Sequence, residues 1–181
     1  MDVCILTSLA YGDHILNLCM DECERLGGDV WVEIDGLPDA GTNDDTLYIS
    51  FLGDYIVPKN HLKKHMYNTH PGPPGYRGWG ARLRTLQDNK KQHAVTLHQI
   101  DEGVDTGPII KTEYFPVDEL STTDSIHAQA EVHCLRMVRW LITQYKEGKK
   151  IVPSGEQWSG KPMLKKTYVK QLKMKQKLDS K

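Results

Sequence analysis

Apolar runs alternate with helical stripes along the first half of the chain. Val3–Leu9 is a short run of the buried-strand kind. Asp13 then caps a helix whose residues Ile15, Leu16, Leu18, Cys19, Cys23 and Leu26 form one stripe, closed by Gly27-Gly28. Val30-Trp31-Val32 reads as a second strand and Leu47–Leu52 as a third. Between them Asp35 to Asp45, rich in Gly, Pro, Asn and Asp, reads as loop. Val57-Pro58 opens a brief helical segment that ends near His65. This alternation predicts a mainly parallel sheet covered by helices.

Farther along, Met66–Asn68 reads as the tail of another strand. It runs into His70-Pro71-Gly72-Pro73-Pro74-Gly75-Tyr76-Arg77-Gly78, too dense in proline and glycine to be regular. Trp79 to Asp88 returns to helical spacing through Trp79, Leu83 and Leu86. His93–Ile100 and Pro108–Val117 alternate as strands and predict an antiparallel pair around the acidic turn Asp101–Gly107. A long helix begins around Thr123, with Ile126, Ala130, His133, Met137, Trp140, Leu141 and Tyr145 on or near its buried face, and Gly148 closes it.

Composition sharpens this outline. The 181 residues suit one domain with a tail, and the net charge of −1 hides a lopsided distribution. Residues 1–60 hold twelve acidic side chains against two basic ones, whereas residues 149–181 hold ten lysines against two acids. We expect a domain over residues 1–150 and a lysine-rich extension over 151–181. That extension lacks the interleaved aromatics and arginines of a nucleic-acid reading surface, apart from Trp158 and Tyr168. It therefore reads as a solvated terminal helix more than as a polyanion contact. No run of about 18 apolar residues predicts a membrane span. The start lacks the pattern of a signal peptide. Cys4, Cys19, Cys23 and Cys134 form no disulfide framework, which points to a reducing, cytoplasmic compartment. The long helix with Trp140 is a candidate homodimer face.

Candidate chemistry concentrates in two stretches. Side chains at Asn68 and His70 lie on the same side of an extended segment, because strand periodicity is two. An amide beside an imidazole can clamp a developing oxyanion. A carboxylate folded back onto them from Asp105 can hold the imidazole protonated or take a proton through water. Spacing alone leaves open the alternative that Asn68 and His70 merely cap a loop and that Asp105-Thr106-Gly107 is an ordinary turn. His61, His65, His70, His93 and His98 invite a zinc reading, but no HExxH or Cys/His quartet is present, so no metal is expected. The turn after the first strand, Ser8-Leu9-Ala10-Tyr11-Gly12-Asp13, is neither a dinucleotide fingerprint nor a phosphate loop.

Taken together, Asn68-Thr69-His70-Pro71, Thr96-Leu97-His98 and Val104-Asp105-Thr106-Gly107-Pro108-Ile109-Ile110 resemble, in order and spacing, the signature of the folate-dependent formyltransferase family. That family includes glycinamide ribonucleotide transformylase, methionyl-tRNA formyltransferase and the sugar N-formyltransferases. The proline-rich loop and Gln157-Trp158-Ser159-Gly160-Lys161-Pro162 look most like the last group. The resemblance implies an α/β fold with a Rossmann-like, mainly parallel sheet and an antiparallel strand pair near 93–117. It also implies that Asn68, His70 and Asp105 are the catalytic residues. They would support attack of a substrate amine on the formyl carbon of N10-formyltetrahydrofolate. By motif position the pterin would lie between Phe51–Ile56 and Ile100–Asp105. This names Phe51, Leu52, Asp54, Tyr55 and Ile56 on one side, and Ile100, Asp101, Glu102 and Val104 on the other.

Several departures bear on the amine partner. Fewer residues precede Asn68 than in most family members, so a truncated N-terminal half is expected. The usual Ser-Leu-Leu-Pro after His-Pro is Gly72-Pro73-Pro74-Gly75 here. Asp13 near the phosphate-loop position argues against glycinamide ribonucleotide. Tyr76, Arg77 and Trp79 become candidates for stacking on a sugar or base and pairing with a phosphate. We expect a small-molecule amine, with a nucleotide-linked amino sugar as the leading candidate. The alternatives are a formyltetrahydrofolate hydrolase and a non-catalytic folate-binding or interaction module.

Overall fold

A computed structural model describes residues 2–7, 17, 24, 30–34, 45–53 and 56–179. Within them, strands β1 (Val3–Thr7), β2 (Val30–Ile34), β3 (Leu47–Phe51), β4 (Met66–His70), β5 (Gln92–Gln99) and β6 (Ile109–Pro116) form one sheet in the order β2-β1-β3-β4-β5-β6. The β1–β2, β1–β3 and β3–β4 pairs are parallel, and β4–β5 and β5–β6 are antiparallel. The helices are α1 (Ala81–Gln87), α2 (Thr123–Lys146) and α3 (Lys165–Asp179).

Strand alternation gives the sheet two different faces. Val3, Ile5, Leu47, Ile49, Val95 and Leu97 point to one of them. There α2 buries Ile126, Ala130, Cys134, Met137, Val138, Leu141 and Ile142 against them. Fully burying side chains of this kind is worth roughly 1.5–3 kcal/mol each, so this face is the main core. The other face carries Cys4, Leu6, Tyr48 and Met66. Asn68 and His70 follow Met66 at intervals of two, so the sheet itself turns them away from the α2 core.

The predicted helix from Thr123 to Lys146 is present, and its start has a clear cause. The Thr122 hydroxyl accepts from Ser125 N–H (3.1 Å) while the Ser125 hydroxyl accepts from Thr122 N–H (2.9 Å), a reciprocal capping box. Two other segments differ from expectation. The segment expected to be helical from Val57 to His65 holds only a 3₁₀ turn at Lys59–His61, flanked by extended Pro58 and Leu62 and burying nothing. The helix expected from Trp79 starts at Ala81, because Gly78 (φ 71°) and Gly80 (φ 76°) adopt left-handed backbone first. The expected helix after Asp13 is represented by Asn17 and Glu24, both helical and exposed. The rest of that stretch, with Cys19 and Cys23, lies outside the described residues, as do Ser8 and Leu9.

After α2 the chain returns across the sheet edge. Ser154 N–H donates to Ile109 O (2.8 Å), Ser159 N–H to Pro74 O (3.0 Å) and Met163 N–H to Arg77 O (3.0 Å). Trp79 N–H donates back to Met163 O (2.8 Å). The lysine-rich end then forms α3, anchored where Tyr168 packs on Trp79 with ring centroids 5.9 Å apart. Among the described residues no helix is long and apolar enough to cross a membrane.

Candidate active site

Asn68 and His70 project from β4, and the antiparallel register sets His98 of β5 directly opposite Asn68. The loop after β5 folds back over this face and brings Asp105 between the two histidines. Its carboxylate lies 3.3 Å from His70 Nδ1 through Oδ2 and 3.4 Å from His98 Nε2 through Oδ1. Gly78 N–H donates to Oδ2 at 2.6 Å. Asp105 adopts a left-handed backbone (φ 48°), a conformation that Asp tolerates better than most residues.

Each polar atom here has a reason for its orientation. His98 Nδ1 donates to the Gln99 carbonyl (2.8 Å), which leaves Nε2 to accept from the Asn68 amide (3.1 Å). A primary amide has two N–H donors, so Asn68 keeps one for the cavity. His70 Nε2 donates to the Tyr76 carbonyl (2.9 Å), which leaves Nδ1, facing Asp105, as the basic atom.

Electrostatics follow from burial. Burial alone would raise the Asp105 carboxyl, but the charge His70 takes on at low pH and the Gly78 N–H outweigh it and hold the group well below the usual carboxylate range. Burial dominates at His70 and lowers its pKa, although the Asp105 carboxylate and the Tyr76 carbonyl pull the other way. At neutral pH the pair is thus an ionised carboxylate beside a neutral imidazole. A proton taken up at Nδ1 would complete a buried ion pair.

These residues face a cavity of about 270 Å³, lined also by Leu52, Ile56, Val57, Ile100, Asp101 and Val104. Trp79, Arg82, His127, Met163 and Lys165 line it as well. The positions named from sequence divide around it. Leu52, Ile56, Ile100, Asp101 and Val104 line the cavity, whereas Asp54 and Tyr55 lie outside the described residues. Phe51 does not line it: paired with Thr69, it points to the opposite face and sits in the α2 core. Glu102 points outward to an ion pair with Lys59 at 2.7 Å.

Tyr76 is likewise turned away. Its hydroxyl donates to Asp88, and its ring lies under the Arg84 guanidinium at 4.8 Å. Arg77 is committed to backbone carbonyls, donating from Nε to Asp105 O (2.8 Å), from Nη2 to Val104 O (3.0 Å) and from Nη1 to Gly160 O (3.2 Å). It clamps the loop that carries Asp105. Trp79 lines the cavity, with Lys165 Nζ 4.7 Å above its ring. His98 and Trp158 stood in the motifs named above but were assigned no role at the site. His98 was visible in Thr96-Leu97-His98, but its partnership with Asn68 depends on the β4–β5 register. Among the described residues no group of three or more His, Cys, Asp or Glu side chains could hold a metal ion.

Gly78 joins the clamp to the carboxylate. A Cβ there would stand 2.4 Å from Met163 O, on a backbone with φ 71°. Gly78→Ala should therefore cost roughly 1–3 kcal/mol of stability and loosen Asp105. Urea unfolding checks the first effect and turnover the second.

The Formyl transferase family profile matches residues 46–136, just over half of the chain, and the chain belongs to that family. The chain is 32% identical over 130 residues to the methionyl-tRNA formyltransferase of Orientia tsutsugamushi (strain Boryong), covering 65% of this chain and 42% of that protein. It thus spans less than half the length of the curated relatives it matches. Its fold is similar to that of the formyltransferase PseJ from Anoxybacillus kamchatkensis, solved with UDP-4,6-dideoxy-4-formamido-L-AltNAc and tetrahydrofolate. That similarity has a TM-score of 0.76 at 21% identity and covers 96% of this chain and 90% of that one. The N-formyltransferase from Helicobacter canadensis, solved with folinic acid and dTDP-3-aminofucose, gives a TM-score of 0.69 at 17% identity, covering 91% and 71%.

Proposed function

We propose that this chain transfers a formyl group from N10-formyltetrahydrofolate to the amino group of a nucleotide-linked amino sugar, with Asn68, His70 and Asp105 as catalytic residues. One observation carries the reading: an amide, an imidazole and an ionised carboxylate converge on one cavity, each oriented by a separate partner. The apolar residues Leu52, Ile56, Val57, Ile100 and Val104 fit a flat heteroaromatic ring, and the donor's pterin would lie among them. Solved relatives bound to tetrahydrofolate or folinic acid and to amino-sugar nucleotides support both substrate classes.

As the amine attacks the formyl carbon, the free Asn68 N–H donates to the developing oxyanion. The amine proton passes by water to His70 Nδ1, and the imidazolium that forms is stabilised by Asp105; collapse of the tetrahedral adduct then breaks the bond from the formyl carbon to N10, which takes that proton and leaves as tetrahydrofolate. Trp79 remains the candidate for stacking on the acceptor. Tyr76 and Arg77 act through the loop they hold. The catalytic domain is taken as residues 1–150, with Ser154, Ser159 and Met163 of the lysine-rich extension bonding back to it. The cysteine pattern fits a cytoplasmic enzyme.

Incubation with N10-formyltetrahydrofolate and a panel of amines tests this reading. The panel contains nucleotide-linked amino sugars, methionyl-tRNA and simple amino acids. Tetrahydrofolate release should require a nucleotide-linked amino sugar. Release without any amine would instead indicate a hydrolase, and folate binding with no release under any condition would indicate a binding module.

A further inference from the structure

Trp158 lies beyond the segment shared with the family profile, which ends at residue 136, yet it touches the centre of the site. Its ring meets His98 edge-to-face with centroids 4.9 Å apart and His70 with centroids 5.8 Å apart. Its indole N–H donates to the Gly107 carbonyl at 2.7 Å. Trp158 does not line the cavity, so it reaches the chemistry only through the two histidines and the loop. Gly107 closes the turn that carries Asp105, and its backbone is so near Gln99 that a Cβ there would stand 1.9 Å from the Gln99 carbonyl oxygen. The strap bearing Trp158 is fastened on both sides, at Ser154 to Ile109 and at Ser159 to Pro74.

We propose that Trp158 is a positioning residue of the active site: its ring walls His70 and His98 off from water, and its N–H fastens the loop that presents Asp105. The strap from Ser154 to Leu164 is then a working wall of the site. This inference rests on the roles assigned to His70 and Asp105 above. His70 is faced by Asp105 from the loop, by His98 and His93 from β5, and by Arg84 from α1. Trp158→Ala removes both the ring and the tether to the Asp105 loop, whereas Trp158→Phe removes only the tether, so a shift in His70 titration confined to Trp158→Ala reports water entry. An aromatic ring set edge-on also fixes ring orientation, and small misplacements of reacting groups are costly.

The test compares wild type with Trp158→Ala and Trp158→Phe in the full chain. Three readouts are taken: the His70 titration midpoint by proton NMR without substrate, kcat and KM for formyl transfer, and thermal unfolding. In Trp158→Ala the His70 midpoint should rise towards the ordinary value of about 6.5. Its kcat should fall about ten- to a hundredfold, with KM for the folate little changed. Trp158→Phe keeps a ring but loses the donor. Its His70 midpoint should stay near wild type while kcat falls several-fold. A folded Trp158→Ala with unchanged His70 midpoint and unchanged kcat overturns the proposal. Should that variant fail to fold, Trp158→Phe decides, since wild-type kcat there removes the tether. Because the NMR titration needs no turnover, it stands even if the acceptor is not an amino sugar.

Discussion

Asp105→Asn should lower turnover by about 10²-fold or more while folate binding stays close to wild type. The amide can still accept from Gly78 N–H, so the loop keeps its anchor. It cannot stabilise an imidazolium at His70, whose Nδ1 lies 3.3 Å from the carboxylate. The loss should therefore fall on kcat, the signature of an interaction made mainly in the transition state. His70→Ala and Asn68→Ala should each lower turnover by a similar factor. The pH profile has a defined sign. Asp105 stays ionised across the working range, because its pKa is held below the usual carboxylate range. His70 must begin neutral to accept the amine proton, and burial lowers its pKa. Activity should accordingly decline as pH falls through a midpoint below 6.5, the ordinary histidine value. In Asp105→Asn the residual activity should decline at still lower pH, since the carboxylate no longer favours the charged imidazole. Wild-type turnover in any of the three variants would refute that residue's role.

The second large effect concerns His93, a residue away from the cavity. Its Nδ1 accepts from the Thr85 hydroxyl (2.7 Å), and its Nε2 donates to the Pro71 carbonyl (3.3 Å). It pins the turn that follows His70. Burial pushes its pKa from 6.5 down to about 4. The unfolded chain binds this proton at the ordinary value, so between pH 4 and 6.5 the unfolded state carries more protons than the folded one. Stability from this group is thus present above pH 6.5 and is lost as pH falls towards 4, about 3 kcal/mol in all. Urea unfolding of wild type and His93→Gln at pH 7 and pH 4 isolates this contribution. Wild type should lose about 3 kcal/mol more than the variant, and an equal loss in both would show that His93 charges freely in the fold.

Much of the scaffold was legible because strands and helices write their burial into residue spacing. The α2 stripe and its start around Thr123 were readable, as were the alternating β5 and β6. Asn68 and His70 were readable as one face of β4 for the same reason. Phe51 was misplaced because motif position says nothing of strand phase. One residue along β3 separates the cavity face of Ser50 from the core face of Phe51. Tyr76 and Arg77 looked like ligand-binding side chains because their chemistry suits a phosphate or a ring. Their actual partners, Asp88 and the carbonyls of Val104 and Asp105, are chosen by loop folding that local sequence does not encode. Trp158 stood in the Gln157–Pro162 stretch that resembles the sugar N-formyltransferases, but its place against His70 and His98 arises only from the long return of the chain after α2.

One measurement bears most directly on the central claim, that Asn68, His70 and Asp105 move a formyl group from folate to an amine. An isotope-labelled formyl group on N10-formyltetrahydrofolate can be followed by mass spectrometry with wild type and His70→Ala in parallel. In wild type the label should appear on the amine of a nucleotide-linked amino sugar, matched one for one by tetrahydrofolate. With His70→Ala both products should appear about 10²-fold more slowly. Label appearing as formate at the same rate with and without the amine, or at equal rates in the two proteins, would contradict the account.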